Sequence, residues 1–67
     1  MTIFLNDEPK QFPDGTNLAS LLLEVQLLDK KGWAVAVNHS IIRRNCFNET
    51  VLKEGDRILL IQATQGG

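Results

Sequence analysis

Residues 18–28 read LASLLLEVQLL, with Leu18, Leu21, Leu22, Val25 and Leu28 at i, i+3, i+4, i+7 and i+10. That spacing sets five apolar side chains along one face of an α-helix. Thr16 or Asn17 provides an N-cap oxygen just ahead of the first leucine. Leu23 and Leu27 widen the stripe on one flank. Lys30 and Lys31 suit the negative C-terminal end of such a helix, and Gly32 is placed to stop it.

The flanking segments read as strands. TIFL (2–5) is rich in β-formers, NDEP (6–9) brings turn chemistry, and KQF (10–12) is a short second strand completing a hairpin. PDG (13–15) breaks the pattern ahead of the helix. Beyond the helix, AVAVN (34–38) is a third strand and SIIRRNCFNETVL (40–52) is shorter strand and turn material. KEGD (53–56) then turns the chain into a last strand, RILLIQA (57–63). One helix covers only one face of a sheet, and a right-handed crossover through it brings a later strand parallel to an earlier one. The compact solution is an α+β fold of the β-grasp type, a mixed four- or five-stranded sheet wrapped around one main helix. Residues 1–67 form one domain, with 63–67 as a flexible tail.

Composition narrows the function. The chain has 67 residues, enough for one small core. Hydrophobic residues at 43% and charged residues at 22% match a folded domain and not a disordered one. The formal net charge is −1, and away from the helix end only Arg43 and Arg44 make a basic pair, which argues against nucleic acid. A lone cysteine, Cys46, has no internal disulfide partner, and with His39 as the single histidine it cannot complete a four-ligand zinc site. MTIFLNDE carries no signal-peptide pattern, and the apolar runs are too short to span a bilayer. The chain therefore reads as cytoplasmic, with no membrane partner.

ILLI (58–61) is apolar at both parities, and successive residues of a strand face opposite sides. Ile58 and Leu60 are expected to face the helix. Leu59 and Ile61 then point away from it, with Phe4 beside them, as a patch for docking a partner. For Val35 and Val37 against Ala34 and Ala36, periodicity does not decide, because both parities are apolar.

The stretch ends in QATQGG (62–67). Glycine has no Cβ, so Gly66 and Gly67 can enter a channel too narrow for any side chain. A terminal carboxylate is ionised near neutrality and inert as an electrophile. To react it must be activated by another protein's active site.

FLND (4–7), PDGTNLASLL (13–22), AVAVN followed by IIRR (41–44), and LKEGDRILLIQATQGG (52–67) occur in the order and spacing of a known family. Across nearly its whole length the chain resembles the ThiS-type sulfur carriers of thiamine biosynthesis, which are ubiquitin-like proteins. The resemblance implies a protein cosubstrate with no catalytic side chains and no bound cofactor. The Gly67 carboxylate would be adenylated with ATP by a ubiquitin-activating-like adenylyltransferase of the ThiF type. Sulfur from a cysteine persulfide, drawn indirectly from a cysteine desulfurase or another source, would displace AMP and leave a thiocarboxylate, a 1-thioglycine. Thiazole synthase of the ThiG type would then take the sulfur. Gly66 and Gln65 would give the tail its access. The chain departs from the family at NHS (38–40), where a glycine is frequent, at Arg43, where a proline is common, and at the variable position Gln65.

Two other readings fit the residues. The small subunit of molybdopterin synthase shares the fold and the terminal diglycine, although it is typically longer. A ubiquitin-like binding module would use the sheet face and not the terminus. A stand-alone enzyme has nothing to build on, since no nucleophile, base and orienting group are brought together by the pattern. The remaining residues that attract notice have plain explanations: His39 is a solvated turn residue, Cys46 a half-buried structural thiol and Trp33 a cap on the core. Asp56 beside Gly55 is turn chemistry, and Arg44 is a solvated charge.

Overall fold

The computed structural model describes residues 1–28 and 32–62. Strands β1 (Thr2–Leu5) and β2 (Glu8–Gln11) form the N-terminal hairpin, and helix α1 (Leu18–Glu24) follows. Strands β3 (Trp33–Val37) and β4 (Ser40–Ile42) make a second hairpin. A 3-10 helix (Arg44–Glu49) and β5 (Arg57–Gln62) complete the described chain. The five strands lie in one mixed sheet in the order β2-β1-β5-β3-β4. β5 runs parallel to β1 and antiparallel to β3, so the expected crossover places the last strand at the centre.

Both hairpins turn on two non-glycine residues in the left-handed region: Asn6 (φ 49°) and Asp7 (φ 70°), then Asn38 (φ 50°) and His39 (φ 74°). Two successive positive φ values match the right-handed twist of the strands, and Asn and Asp tolerate them best after glycine. The first turn is therefore shorter than NDEP, and Pro9 belongs to β2, opposite Phe4. A proline is accommodated there because β2 is an edge strand.

The helix starts as read and stops early. Asn17 is the N-cap, its Oδ1 accepting from the Ser20 N–H at 2.8 Å. The end comes at Val25, not near Gly32, because Gln26 turns left-handed (φ 64°). The Gln26 N–H donates to the Leu23 carbonyl at 3.1 Å and the Leu27 N–H to the Leu22 carbonyl at 2.8 Å. These two bonds, in that order, define a Schellman stop. Gly32 also has a positive φ, 83°, but it precedes β3 and does not close the helix. Lys30 and Lys31 lie outside the described residues.

The core lies between α1 and one face of the sheet. Ile3, Leu18, Leu21, Leu22 and Ile58 are its most completely buried large side chains, joined by Leu5, Phe12, Val35, Phe47 and Leu52. Phe47 comes from the 3-10 helix, where the sequence promised only strand and turn. Leu23, assigned to the flank of the apolar stripe, is instead 62% exposed, whereas Leu27 packs against the core. At the helix entrance the Leu18 N–H donates to the Thr50 carbonyl at 2.8 Å, and the Leu52 N–H to the Thr16 carbonyl at 3.0 Å. This small bridge holds α1 against the segment that leads into β5.

Candidate functional site

The register assigns every strand residue to a face. Trp33, Val35 and Val37 lie opposite Gln62, Leu60 and Ile58, and Val35 also opposite Ile42. Ile58 is 2% exposed and Leu60 packs against the core, so this parity faces the helix. The valines of β3 therefore point inward and the alanines outward, which periodicity could not decide. Trp33 is half-buried at the edge of this inner face.

The opposite parity forms the outer face. Leu59 and Ile61 are 49% and 41% exposed, pointing away from α1 as the alternation requires. Across from them on β3 stand Ala36 and Ala34, and Ala36 in turn faces Ile41 of β4, itself 63% exposed. Ala36 is almost fully buried despite its outward direction, because its short side chain sits between two larger neighbours. The outcome is a shallow apolar trough, floored by alanine and walled by Leu59, Ile61 and Ile41. The sequence reading missed Ile41; the Asn38–His39 turn sets its parity, and only the turn's two-residue length reveals it.

Phe4 stands at one border of this face and is only half-exposed. The Arg57 guanidinium lies over its ring, 4.8 Å from the centroid, and Arg57 Nη1 is 3.5 Å from Asp7 Oδ1. Both charges are largely solvated, so the pair contributes little to stability. It does place a cation at the rim of the trough, a common composition for a docking surface: apolar centre, charged border.

β5 is held in place by side chains from both hairpin turns. Asn38 Oδ1 accepts from the Arg57 N–H at 3.0 Å, and Asn38 Nδ2 donates to Asp56 Oδ1 at 2.9 Å. Asp56 Oδ2 accepts from the Lys53 N–H at 2.8 Å, closing the turn in which Gly55 takes φ 84°. On the other side Asn6 Oδ1 accepts from the Leu60 N–H at 2.9 Å. The strand that leads to the diglycine is therefore paired on both sides and also bonded by a side chain from each hairpin turn. Gln65, Gly66 and Gly67 themselves lie outside the described residues.

His39 is exposed in its turn, and Cys46 is half-buried with its thiol 3.7 Å from Asn45 Oδ1. Arg44 is exposed and lines a recess of about 70 Å³ bounded by Leu22, Leu27, Trp33 and Phe47. A second recess, beside Arg57 and Leu59, measures about 190 Å³. Pockets for small molecules run to about 300–1,000 Å³. Among the described residues no cluster of His, Cys, Asp and Glu is suited to a metal, and no helix is long and apolar enough to cross a membrane.

A five-stranded mixed sheet with its last strand central, one helix on one face and an open apolar face on the other defines a ubiquitin-like β-grasp protein. Its residues 3–67 match the model of the ThiS family, and the chain belongs to that family, the sulfur carriers of thiamine biosynthesis. It is 35% identical to the sulfur carrier protein ThiS of Escherichia coli (strain K12) over 69 residues, covering all of both chains. The crystal structure of a thiamine biosynthesis protein (ThiS) from Geobacter metallireducens superposes with a TM-score of 0.86 at 23% identity over the whole of both chains. A solution structure of a thiamine biosynthesis protein from the same organism gives 0.77 at 23% identity, covering all of this chain and 88% of that one. Those two likenesses establish the fold; the family match decides for thiamine over molybdopterin.

Proposed function

We propose that Gly67 is the working residue, and that its carboxylate is adenylated and then converted to a thiocarboxylate which donates sulfur to thiazole synthase. An adenylyltransferase of the ThiF type transfers AMP from ATP to the carboxylate and releases pyrophosphate. A persulfide, supplied through a cysteine desulfurase or another source, attacks the acyl carbon and expels AMP, leaving an acyl disulfide. A second thiol cleaves its S–S bond, freeing the thiocarboxylate and forming a disulfide. The chain is substrate at every step: its terminal carboxylate oxygen attacks the α-phosphorus of ATP, and none of its side chains serves as acid, base or nucleophile. Since the first step consumes ATP, we assign the protein to the cytoplasm.

One observation carries this reading: the exposed apolar residues and the diglycine belong to the same stretch of chain. Leu59 and Ile61 leave a docking surface on β5, and five residues beyond Gln62 would reach up to about 18 Å in extended form. A partner seated on Leu59, Ile61 and the border residue Phe4 would therefore have Gly67 within range of its own catalytic centre. Glycine at the last two positions supports passage through a narrow channel, with Gln65 at its entrance.

Deletion of Gly66 and Gly67 separates a carrier from a binding module of the same fold. In a strain that lacks its own sulfur carrier, the truncated protein is expected to restore no growth without thiamine, while its melting temperature is unchanged. Growth restored by the truncated protein would exclude the carrier reading and leave the module.

A further inference from the structure

We infer that Asn6 is a positioning residue for the sulfur-transfer reaction: its carboxamide fixes the direction in which β5 delivers the terminal residues to a partner. The inference rests on the reading of Gly67 as the reactive end. It begins with a gap in the sheet. The parallel register between β1 and β5 ends at Leu5 opposite Ile58, because Asn6 turns left-handed and leads the chain away into the hairpin. The Asn6 N–H still donates to the Ile58 carbonyl at 2.9 Å. In an unbroken parallel ladder a backbone carbonyl would next accept from Leu60. Here Asn6 Oδ1 accepts from the Leu60 N–H instead, at 2.9 Å. The side chain thus prolongs the ladder by one rung after the backbone has left it.

That rung has a particular place. From Leu60 to Gln62, β5 is paired with β3 alone, through Val35, Ala34 and Trp33. Among the described residues, the Asn6 carboxamide supplies a hydrogen bond that holds this last section from the β1 side. Leu60 is flanked by Leu59 and Ile61, the docking residues, and is seven residues from Gly67. This section is the root from which the terminal residues leave the sheet, beside the surface a partner would hold, and reactive geometry tolerates little misplacement of the elements that position a substrate. Asn6 acts through the strand.

The chemistry of position 6 permits a clean test. A glycine tolerates positive φ and keeps the turn, so Asn6→Gly removes the carboxamide and leaves the hairpin intact. Asn6→Asp keeps an oxygen at the same place and serves as the conservative control. Loss of one hydrogen bond of ordinary net worth, about 1 kcal/mol, corresponds to a change of about fivefold. In Asn6→Gly the Leu60 amide is expected to exchange with solvent about fivefold faster, with amides of α1 unchanged. Conversion of the terminal carboxylate by the adenylyltransferase and a sulfide source is expected to fall about fivefold in kcat, with KM for the carrier within about twofold. Asn6→Asp is expected to restore both.

The two levels fail differently. If the unaltered protein gains no sulfur with an active partner, the reading of Gly67 is wrong, and the exchange measurement still decides whether Asn6 secures the strand. If the unaltered protein is converted but Asn6→Gly matches it in kcat, or if Leu60 exchange does not change, the positioning role is overturned. A loss in Asn6→Gly that Asn6→Asp does not restore overturns it too.

Discussion

Replacing Leu59 and Ile61 together with alanine should impair partner binding and spare the fold. Full burial of a leucine or isoleucine is worth about 1.5–3 kcal/mol. In the free protein these side chains are already half covered, at 49% and 41% exposure. About half of that worth remains to be gained at an interface, or about 1 kcal/mol for each. The pair thus corresponds to about 2 kcal/mol, equivalent to an increase of about 30-fold in KM for the adenylyltransferase. By the same arithmetic the half already covered contributes about 1 kcal/mol per site to folding, so the variant should be weakened but remain folded under native conditions. The assay is adenylation kinetics with the carrier as varied substrate, beside a urea titration of each variant. A KM within twofold of the original, in a variant that remains folded, would refute the assignment of this face to docking. A collapse of stability would instead show that the two side chains belong to the core.

Three further outcomes follow from the packing. Gln26→Gly should raise stability by about 1 kcal/mol, since the Schellman stop holds a residue with a Cβ at φ 64°; an unchanged or lower urea midpoint would contradict that. Asp56→Ala should cost about 1–3 kcal/mol because it leaves the Lys53 N–H and the Asn38 carboxamide without their acceptor; thermal melting measures it, and a neutral effect would show the turn to be indifferent to the carboxylate. Ile58→Ala, at a site 2% exposed, should cost about 2–5 kcal/mol. That is a large share of the total for a chain this short, so circular dichroism is expected to show substantial unfolding at 37 °C.

The features visible in the sequence were those set by local periodicity. Alternation in ILLI assigned Ile58 and Leu60 inward and Leu59 and Ile61 outward, and the register agrees. The N-cap was narrowed to two residues, one of them the Asn17 that performs it. What the sequence concealed depended on exceptions to residue preference. The helix stop used Gln26, where glycine was the expected signal, and the true stop was passed over for Gly32. Pro9 looked like turn chemistry because the pattern does not show that its strand would lie at an edge. For the alternating Ala and Val of β3, only pairing with β5 on one side and β4 on the other selects the buried set. Asn6 was legible as a turn residue, but its bond to Leu60 spans 54 positions, a relation no local window contains.

The most direct measurement is the intact mass of the protein after incubation with ATP, an active adenylyltransferase and a persulfide donor, followed by fragmentation of its last residues. The account requires the gain of one sulfur in place of one oxygen, confined to Gly67, and its loss again when thiazole synthase and its other substrates are added. An unchanged mass with partners proven active on another carrier, or sulfur found on Cys46, would contradict it.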